Sequence, residues 1–454
     1  MRRALLASAA TLGVLGVSAV VLACSASGVR AEGRQKIEFW YGLTGQLGEV
    51  VQNQCKLFND SQDKYEAVCV GQGGYDKAEQ NTIAAYRSHQ QPTIVQIYDA
   101  GTVNFLLSGA VYPADKFDQD YKLNIDWKSY YPAIRDFYGT SQGSMWSFPY
   151  NSSTAVLYWN KDEWKKIGKT EAPKTWDEFG EDLAALKKAG VACPFAHDFD
   201  TWPILEQFSA INDVPVATED NGFKGLDAKM TFNHTIFVDF MKDVKRWVDD
   251  GSAKLVTLSG GTNKRDVFAS GGCASHLNSI ADYSAIKAVA KPDLNFGVAM
   301  LPVYKGHERH NSTIGGASLW VMAGKSPAEY EAAAAFIKYV TAPKTGEEYI
   351  VDNTGYIPVT TNGEKLVEDN GFYKDPKHAG RERAIESLTA SPVGPLTHGI
   401  RLGNFTAIRT IVRSELEAAF TGKKDVQTAM DDAVTQGNEV LSRYAQTMRG
   451  KTLP

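Results

Sequence analysis

The residues of this chain that could break bonds do not assemble into a recognisable pattern. A serine nucleophile on a sharp strand-to-helix turn sits between two glycines, and Gly316-Ala317-Ser318-Leu319-Trp320 carries the first glycine and lacks the second. Gly71-Gln72-Gly73-Gly74 does not meet the dinucleotide fingerprint, and Gly260-Gly261-Thr262-Asn263-Lys264 misses the phosphate-loop spacing. His307 and His310 stand three apart beside Glu308, but Pro302 and Lys305 before them and Asn311 after them read as loop. That segment is expected to be solvated surface rather than a helical metal site. Paired carboxylates such as Asp118 and Asp120 are too common to indicate glycosidase chemistry, which needs two acids facing one bond. No catalytic residue, metal or cofactor is therefore expected.

The chemistry on offer is that of holding a small molecule. Aromatic residues are 11% of the chain, and several fall at strand ends or in loops beside small polar groups: Gly74-Tyr75, Tyr98-Asp99, Asn151-Ser152-Ser153, Phe199 with Trp202, Thr354-Gly355-Tyr356 and Ile400-Arg401. A polyol phosphate needs this mixture: a carboxylate for hydroxyls, an arginine and hydroxyls for phosphate oxygens, and flat faces for the carbon skeleton. Taken singly, each of these residues has an ordinary role in core or surface, so something must bring them together.

The elements that would do so are legible from periodicity. Residues 36–41, 65–70 and 94–98 read as strands, with helical spacing of Leu47, Val50, Val51, Cys55 and Phe58 after the first and a polar helix over 76–88 after the second. This alternation predicts a βα-type sheet with parallel crossovers. Strand signals return at 155–159, 295–300 and 318–322, so the chain is expected to leave one sheet and come back. Thr175 and Ser326 each stand three residues before a glutamate, the capping-box pattern, with Pro327 at a first helical position. Two apolar stripes, Phe405-Ile408-Val412-Leu416-Ala419-Phe420 and Val426-Met430-Val434-Val440-Leu441, predict helical packing at the C-terminus.

The N-terminus gives the compartment. Arg2 and Arg3 precede an uncharged run over 4–22 that ends Val21-Leu22-Ala23-Cys24, a signal peptide. Its end resembles the lipobox of bacterial lipoproteins, which makes Cys24 a lipidated mature N-terminus; the alternative is an ordinary secretory signal with a chance cysteine. A polar tether over 25–35 follows. No second long apolar stretch follows, so an anchor is implied rather than a span. With 43% hydrophobic residues and a net charge of −5, composition is globular and offers no nucleic-acid surface. The four other cysteines are an even number in an oxidising compartment. Cys55 on the first helix and Cys69 on the next strand can close a short loop, which leaves Cys193 with Cys273.

The segments 36–48, Gly74-Tyr75, Ile97-Tyr98-Asp99-Ala100-Gly101-Thr102, Pro149-Tyr150-Asn151-Ser152-Ser153-Thr154, Pro173-Lys174-Thr175-Trp176, Ile314-Gly315-Gly316-Ala317-Ser318-Leu319-Trp320, Thr354-Gly355-Tyr356-Ile357-Pro358 and Gly399-Ile400-Arg401-Leu402-Gly403-Asn404 join these signals. In them the chain resembles the glycerol-3-phosphate-binding component of ABC importers, in register through essentially all of the mature length. The resemblance implies an α/β, type II periplasmic-binding-protein fold with two lobes and the ligand at the hinge. Residues 36–150 and 305–356 would form one lobe, and 151–304 and 357–454 the other. It further implies that Tyr75, Ser153, Ser279, the backbone of Gly316, Tyr356 and Arg401 surround phosphate and glycerol. Asp99 would accept the polyol and Trp202 would be its stacking wall.

Two departures bear on the ligand. Where the enterobacterial-type protein has glutamate this chain has Asp99, and where that protein has the first of two nearby tryptophans it has Phe199. Both enlarge the cleft and agree with actinobacterial relatives that look suited to a glycerophosphodiester. Glycerophosphocholine is thus preferred over glycerol 3-phosphate, its quaternary ammonium being attracted to aromatic faces by about 0.5 to 2 kcal/mol. The expected partners are this ligand and the membrane permease, the expected state a monomer held extracytoplasmically by its lipid. The rivals are an uncharged-oligosaccharide binder of the same fold, a secreted phosphodiesterase, and a purely structural lipoprotein.

Overall fold

Short runs rich in β-branched and aromatic residues alternate with longer amphipathic ones, and in the computed structural model, which describes residues 33–256 and 263–454, they form strands and helices in turn. Along the chain the strands are β1 (Gln35–Tyr41), β2 (Tyr65–Gly71), β3 (Ile94–Tyr98), β4 (Val111–Tyr112), β5 (Phe148–Ser153), β6 (Ala155–Asn160), β7 (Phe195–His197), β8 (Ala253–Leu255), β9 (Ser275–Ser279), β10 (Phe296–Met300) and β11 (Gly315–Met322). They make two sheets: β2-β1-β3-β11-β4 with β5 also on β11, and β10-β6-β9-β7-β8. The leader, the lipobox reading and Cys24 lie outside the described residues. No helix among the described residues is long and apolar enough to cross a membrane.

Strand β1 buries Ile37, Phe39 and Tyr41 on one face, the period of two expected of a half-covered strand. All five residues of β3 are buried, as in a strand covered on both faces. β1 runs parallel to β2 and β3, as the βα alternation predicted. The sheet is nonetheless mixed, because β11 returns from far along the chain and pairs antiparallel with β3 and β5.

The passage from one sheet to the other takes a single residue. β5 ends at Ser153, β6 begins at Ala155, and Thr154 between them is fully buried. Its hydroxyl lies 3.0 Å from the Thr313 carbonyl and 2.8 Å from the Ser312 hydroxyl, and the Gln207 amide donates to the same Thr313 carbonyl at 2.9 Å. The outgoing strand and the returning one are thus tied at their crossing by side chains that satisfy backbone groups no sheet can pair.

Both predicted caps exist, with one difference. Ser326 and Glu329 form the complete reciprocal box. Thr175 accepts from the Glu178 amide at 3.2 Å, but the Glu178 carboxylate takes the Lys174 amide at 2.8 Å, one residue upstream of the cap. Helix Trp176–Lys188 then buries Trp176, Phe179, Leu183 and Leu186. The C-terminal helices Phe405–Phe420 and Val426–Thr447 pack with this helix into the core beside the second sheet, through the two stripes read from the sequence. Residues 307–310 are loop, and among the described residues no group of three His, Cys, Asp or Glu is placed to hold a metal.

Cys55 is bonded to Cys69 and Cys193 to Cys273, with sequence separations of 14 and 80. Because a cross-link removes entropy from the unfolded chain in proportion to the logarithm of loop length, the double variant Cys193→Ser/Cys273→Ser should lose about 4.5 kcal/mol and Cys55→Ser/Cys69→Ser about 3 kcal/mol. Urea denaturation of both variants checks the order, and equal losses would contradict it.

Candidate ligand-binding site

A cavity of about 520 Å³ opens where strands of both sheets end. Tyr98 and Asp99 reach it from the end of β3, Ser153 from β5, Gly316 from β11 and Ser279 from β9. Tyr75 enters from the first turn of helix Tyr75–Arg87, Trp202 from the turn Trp202–Glu206, and Tyr356 from the loop after Asn353.

The Tyr75 hydroxyl is held from behind. The Gly42 amide donates to Gln96 at 2.9 Å, Gln96 to the Asn151 side-chain oxygen at 2.8 Å, and the Asn151 amide to the Tyr75 hydroxyl at 2.9 Å. Tyr75 stacks on Tyr98 with ring centroids 5.3 Å apart, and its hydroxyl lies 3.4 Å from that of Tyr356. Burial, helped by the Tyr356 hydroxyl, pushes the Tyr75 phenol well above its ordinary value. Burial likewise takes Tyr356 up to about 12. Both therefore stay protonated donors at neutral pH.

Two glycines set the floor. Gly316 has φ +102°, and a Cβ there would lie 1.9 Å from the Asn151 carbonyl oxygen. At Gly315 a Cβ would fall 2.2 Å from the Trp202 indole. The absent side chains are what let β11 lie against β5 and the indole lie against β11.

The dominant charges form a buried triad. Arg409, on helix Phe405–Phe420, donates from Nε and one amino group to the two oxygens of Glu206, each at 2.7 Å, and from the same amino group to Asp99 at 2.8 Å. The guanidinium also lies over the rings of Tyr98 and Phe405. Burial raises Asp99 against the pull of Arg409. Burial takes Glu206 to about 7, with Arg409 opposing and Asp99 adding to the rise. Burial works against the charge of Arg409, and the two carboxylates outweigh it. The result is one cation shared by two acids, with the second amino group of Arg409 making no hydrogen bond among the described residues.

Seven of the nine residues expected at the ligand line this cavity: Tyr75, Asp99, Ser153, Trp202, Ser279, Gly316 and Tyr356. Phe199 does not. It packs edge-on against Phe420 and lines a neighbouring cavity of about 500 Å³, which shares Asp200, Asp282 and Arg413 with the first. Arg401 is the correction: its side chain is turned away, one amino group donating to the carbonyls of Phe137 and Gly139, with the guanidinium 4.2 Å from the Phe223 ring. Burial without a carboxylate partner lowers Arg401 to about 10. Its work is to satisfy the carbonyls that end helix Pro132–Tyr138. Arg409 and Arg413 both line the cavity, and the one paired with Asp99 and Glu206 is Arg409, eight residues further on than Arg401; the signal that could have found it was its helical phase. It follows Phe405 by one turn on a helix whose first turn reaches the cavity through Thr406.

A family model of bacterial extracellular solute-binding proteins matches residues 53–380. The sn-glycerol-3-phosphate-binding periplasmic protein UgpB of Yersinia enterocolitica is 37% identical over 436 residues, covering 94% of this chain and 97% of that protein. The protein of the same name from Pectobacterium atrosepticum is 37% identical over 437 residues, with 94% and 96% covered. Among solved structures, UgpB from Mycobacterium tuberculosis in complex with glycerophosphocholine superposes with a TM-score of 0.74 at 21% identity, covering 90% of this chain and 99% of that one. The GacH receptor of Streptomyces glaucescens gives 0.74 at 20% identity, covering 91% and 100%.

Substituting Gly316→Ala should cost at least about 2 kcal/mol, since the backbone cannot keep φ +102° and the new methyl would strike Asn151. Chemical denaturation reads the loss, and an unchanged midpoint would show that the β5–β11 approach is not tight.

Proposed function

Because the chain belongs to the family of bacterial extracellular solute-binding proteins, we propose that it captures a glycerophosphodiester, glycerophosphocholine by preference, and delivers it to the permease of an ABC importer. It does so as a monomer, tethered at the outer side of the cell membrane by a lipid on Cys24. The observation that carries this reading is the convergence of a largely buried arginine, four hydroxyls and an open glycine backbone on one cavity. Arg409 offers its unengaged amino group to a phosphate oxygen in a charge-assisted bond. Tyr75, Ser153, Ser279 and Tyr356 supply hydroxyl donors, and Gly316 leaves its amide open to close approach. Trp202 gives the glycerol skeleton a flat face, and Asp99 is the carboxylate for a glycerol hydroxyl.

The lobes are those expected from the sequence, 36–150 with 305–356 and 151–304 with 357–454, hinged where Thr154 and Thr313 meet. Tyr75, Asp99, Gly316 and Tyr356 then belong to one lobe, together with Ser153, which β5 keeps in the first sheet, and Trp202, Ser279 and Arg409 belong to the other. A ligand gripping both is held fully only when the lobes close, so binding shifts the population toward the closed form. Glycerol 3-phosphate is the second reading, favoured by the names of the UgpB relatives.

Isothermal titration with the two ligands tests the proposal. Arg409→Gln should weaken glycerophosphocholine at least about 100-fold, a loss of about 2.7 kcal/mol for one charge-assisted partner. Arg401→Met should leave affinity within about threefold while lowering stability by about 2 kcal/mol, through the two carbonyls left unpaired. Wild-type affinity in Arg409→Gln would refute the site.

A further inference from the structure

Glu206 does not line the cavity, and among the described residues the hydrogen bonds to its carboxylate come from Arg409, whose charge it partly neutralises. Holding the guanidinium in place does not by itself need a carboxylate: a buried amide could hold it with less desolvation. The carboxylate adds a negative potential at the place where Arg409 would meet an anion. The lining makes the same bias: Asp76, Asp99, Asp200 and Asp282 stand against Lys77, Arg409 and Arg413, four acids to three bases before Glu206 is added.

We propose that Glu206, acting through Arg409, selects the charge of the bound anion, so that the site accepts a phosphate diester with one negative charge and disfavours a phosphate monoester with two. This deepens the glycerophosphodiester reading and rests on it. The potential of a fixed charge acts once on a singly charged ligand and twice on a doubly charged one, so it discriminates between them by its own magnitude. The surplus of carboxylates also suits a ligand that carries an ammonium group beyond its phosphate, with Asp200 and Asp282 at the junction to the neighbouring cavity. Glu206 is a positioning residue in this scheme: it touches Arg409 and not the ligand.

Arg409, Asp99 and Asp200 are the charged groups that act on Glu206, whose burial already places it at about 7. An incoming negative charge favours the protonated acid and raises that value further, so binding of a diester near neutral pH takes up protons. The diester itself does not titrate there.

The test is isothermal titration of glycerophosphocholine and sn-glycerol 3-phosphate at about pH 8, where the monoester is doubly charged, with the wild type, Glu206→Gln and Glu206→Asp. The wild type should favour glycerophosphocholine. Glu206→Gln should improve glycerol 3-phosphate about tenfold relative to glycerophosphocholine, and Glu206→Asp, which keeps the charge, should retain the wild-type ratio. Repeating the titration with glycerophosphocholine at about pH 7, in buffers of different ionisation enthalpy, should show proton uptake by the wild type that is smaller in Glu206→Gln, the remainder coming from Asp282, which burial raises to about 6; the wild-type preference at about pH 8 is read even if a variant fails to fold. Equal weakening of both ligands by Glu206→Gln, or a wild type that binds glycerol 3-phosphate as tightly as glycerophosphocholine at about pH 8, overturns the inference and leaves the ligand class intact. If the wild type binds neither compound, the ligand class fails and the inference falls with it.

Discussion

A guanidinium shared by two buried carboxylates is the arrangement on which the rest of the cavity depends. Arg409 reaches from the C-terminal helical pair, Asp99 stands at the end of a strand in the first sheet, and Glu206 sits in a turn leading away from the second. An ion pair taken out of water gains little net stability, but removing one member strands an uncompensated charge. The triad therefore fixes where three distant segments must meet more than it stabilises the fold. It also poises the site: the cation is held, partly neutralised, and left with one amino group unspent.

Around the triad, precision comes from backbone approach and from polar groups with partners behind them. Gly315 and Gly316 let β11 lie against Trp202 and β5, and Gly355 brings the loop carrying Tyr356 against residues 280 and 281. The relay from Gly42 through Gln96 and Asn151 aims the Tyr75 hydroxyl with two buried hydrogen bonds and one part-buried one. Such networks hold a geometry because every member left unpaired would cost desolvation. The single-residue passage at Thr154 confines motion between the sheets to a short, polar-tied crossing, which agrees with a hinge rather than a flexible linker.

The two arginines show where sequence reading stops. Arg401 and Arg409 lie eight residues apart, Arg401 buried and Arg409 with its side chain 14% exposed, both in a stretch that resembles a family of phosphate-ester binders. Motif identity singles out Arg401. The fold sends it instead to the carbonyls of Phe137 and Gly139, 264 and 262 residues away in sequence, because the end of that helix must be satisfied by something. Glu206 was equally invisible. Within Trp202–Glu206 it looks like one acid beside an apolar run, and only its bidentate bonds to a residue 203 positions on give it meaning.

Much was nevertheless legible without coordinates. Period-two and period-3.6 patterns located β1 and β3 to within a residue and the starts of both C-terminal helices, though the last helix runs on to Thr447, six residues beyond the apolar stripe, since each must bury an apolar face whatever the topology. Capping residues marked helix starts because the first amides of a helix need acceptors locally. The departure from and return to the first sheet was readable as strand signals far apart. The antiparallel insertion of β11, the pairing of Tyr75 with Tyr356, and the choice of Arg409 over Arg401 were decided only in three dimensions. Local patterns are set by the chain's own neighbours, whereas these follow from which buried charges and carbonyls find partners across hundreds of residues.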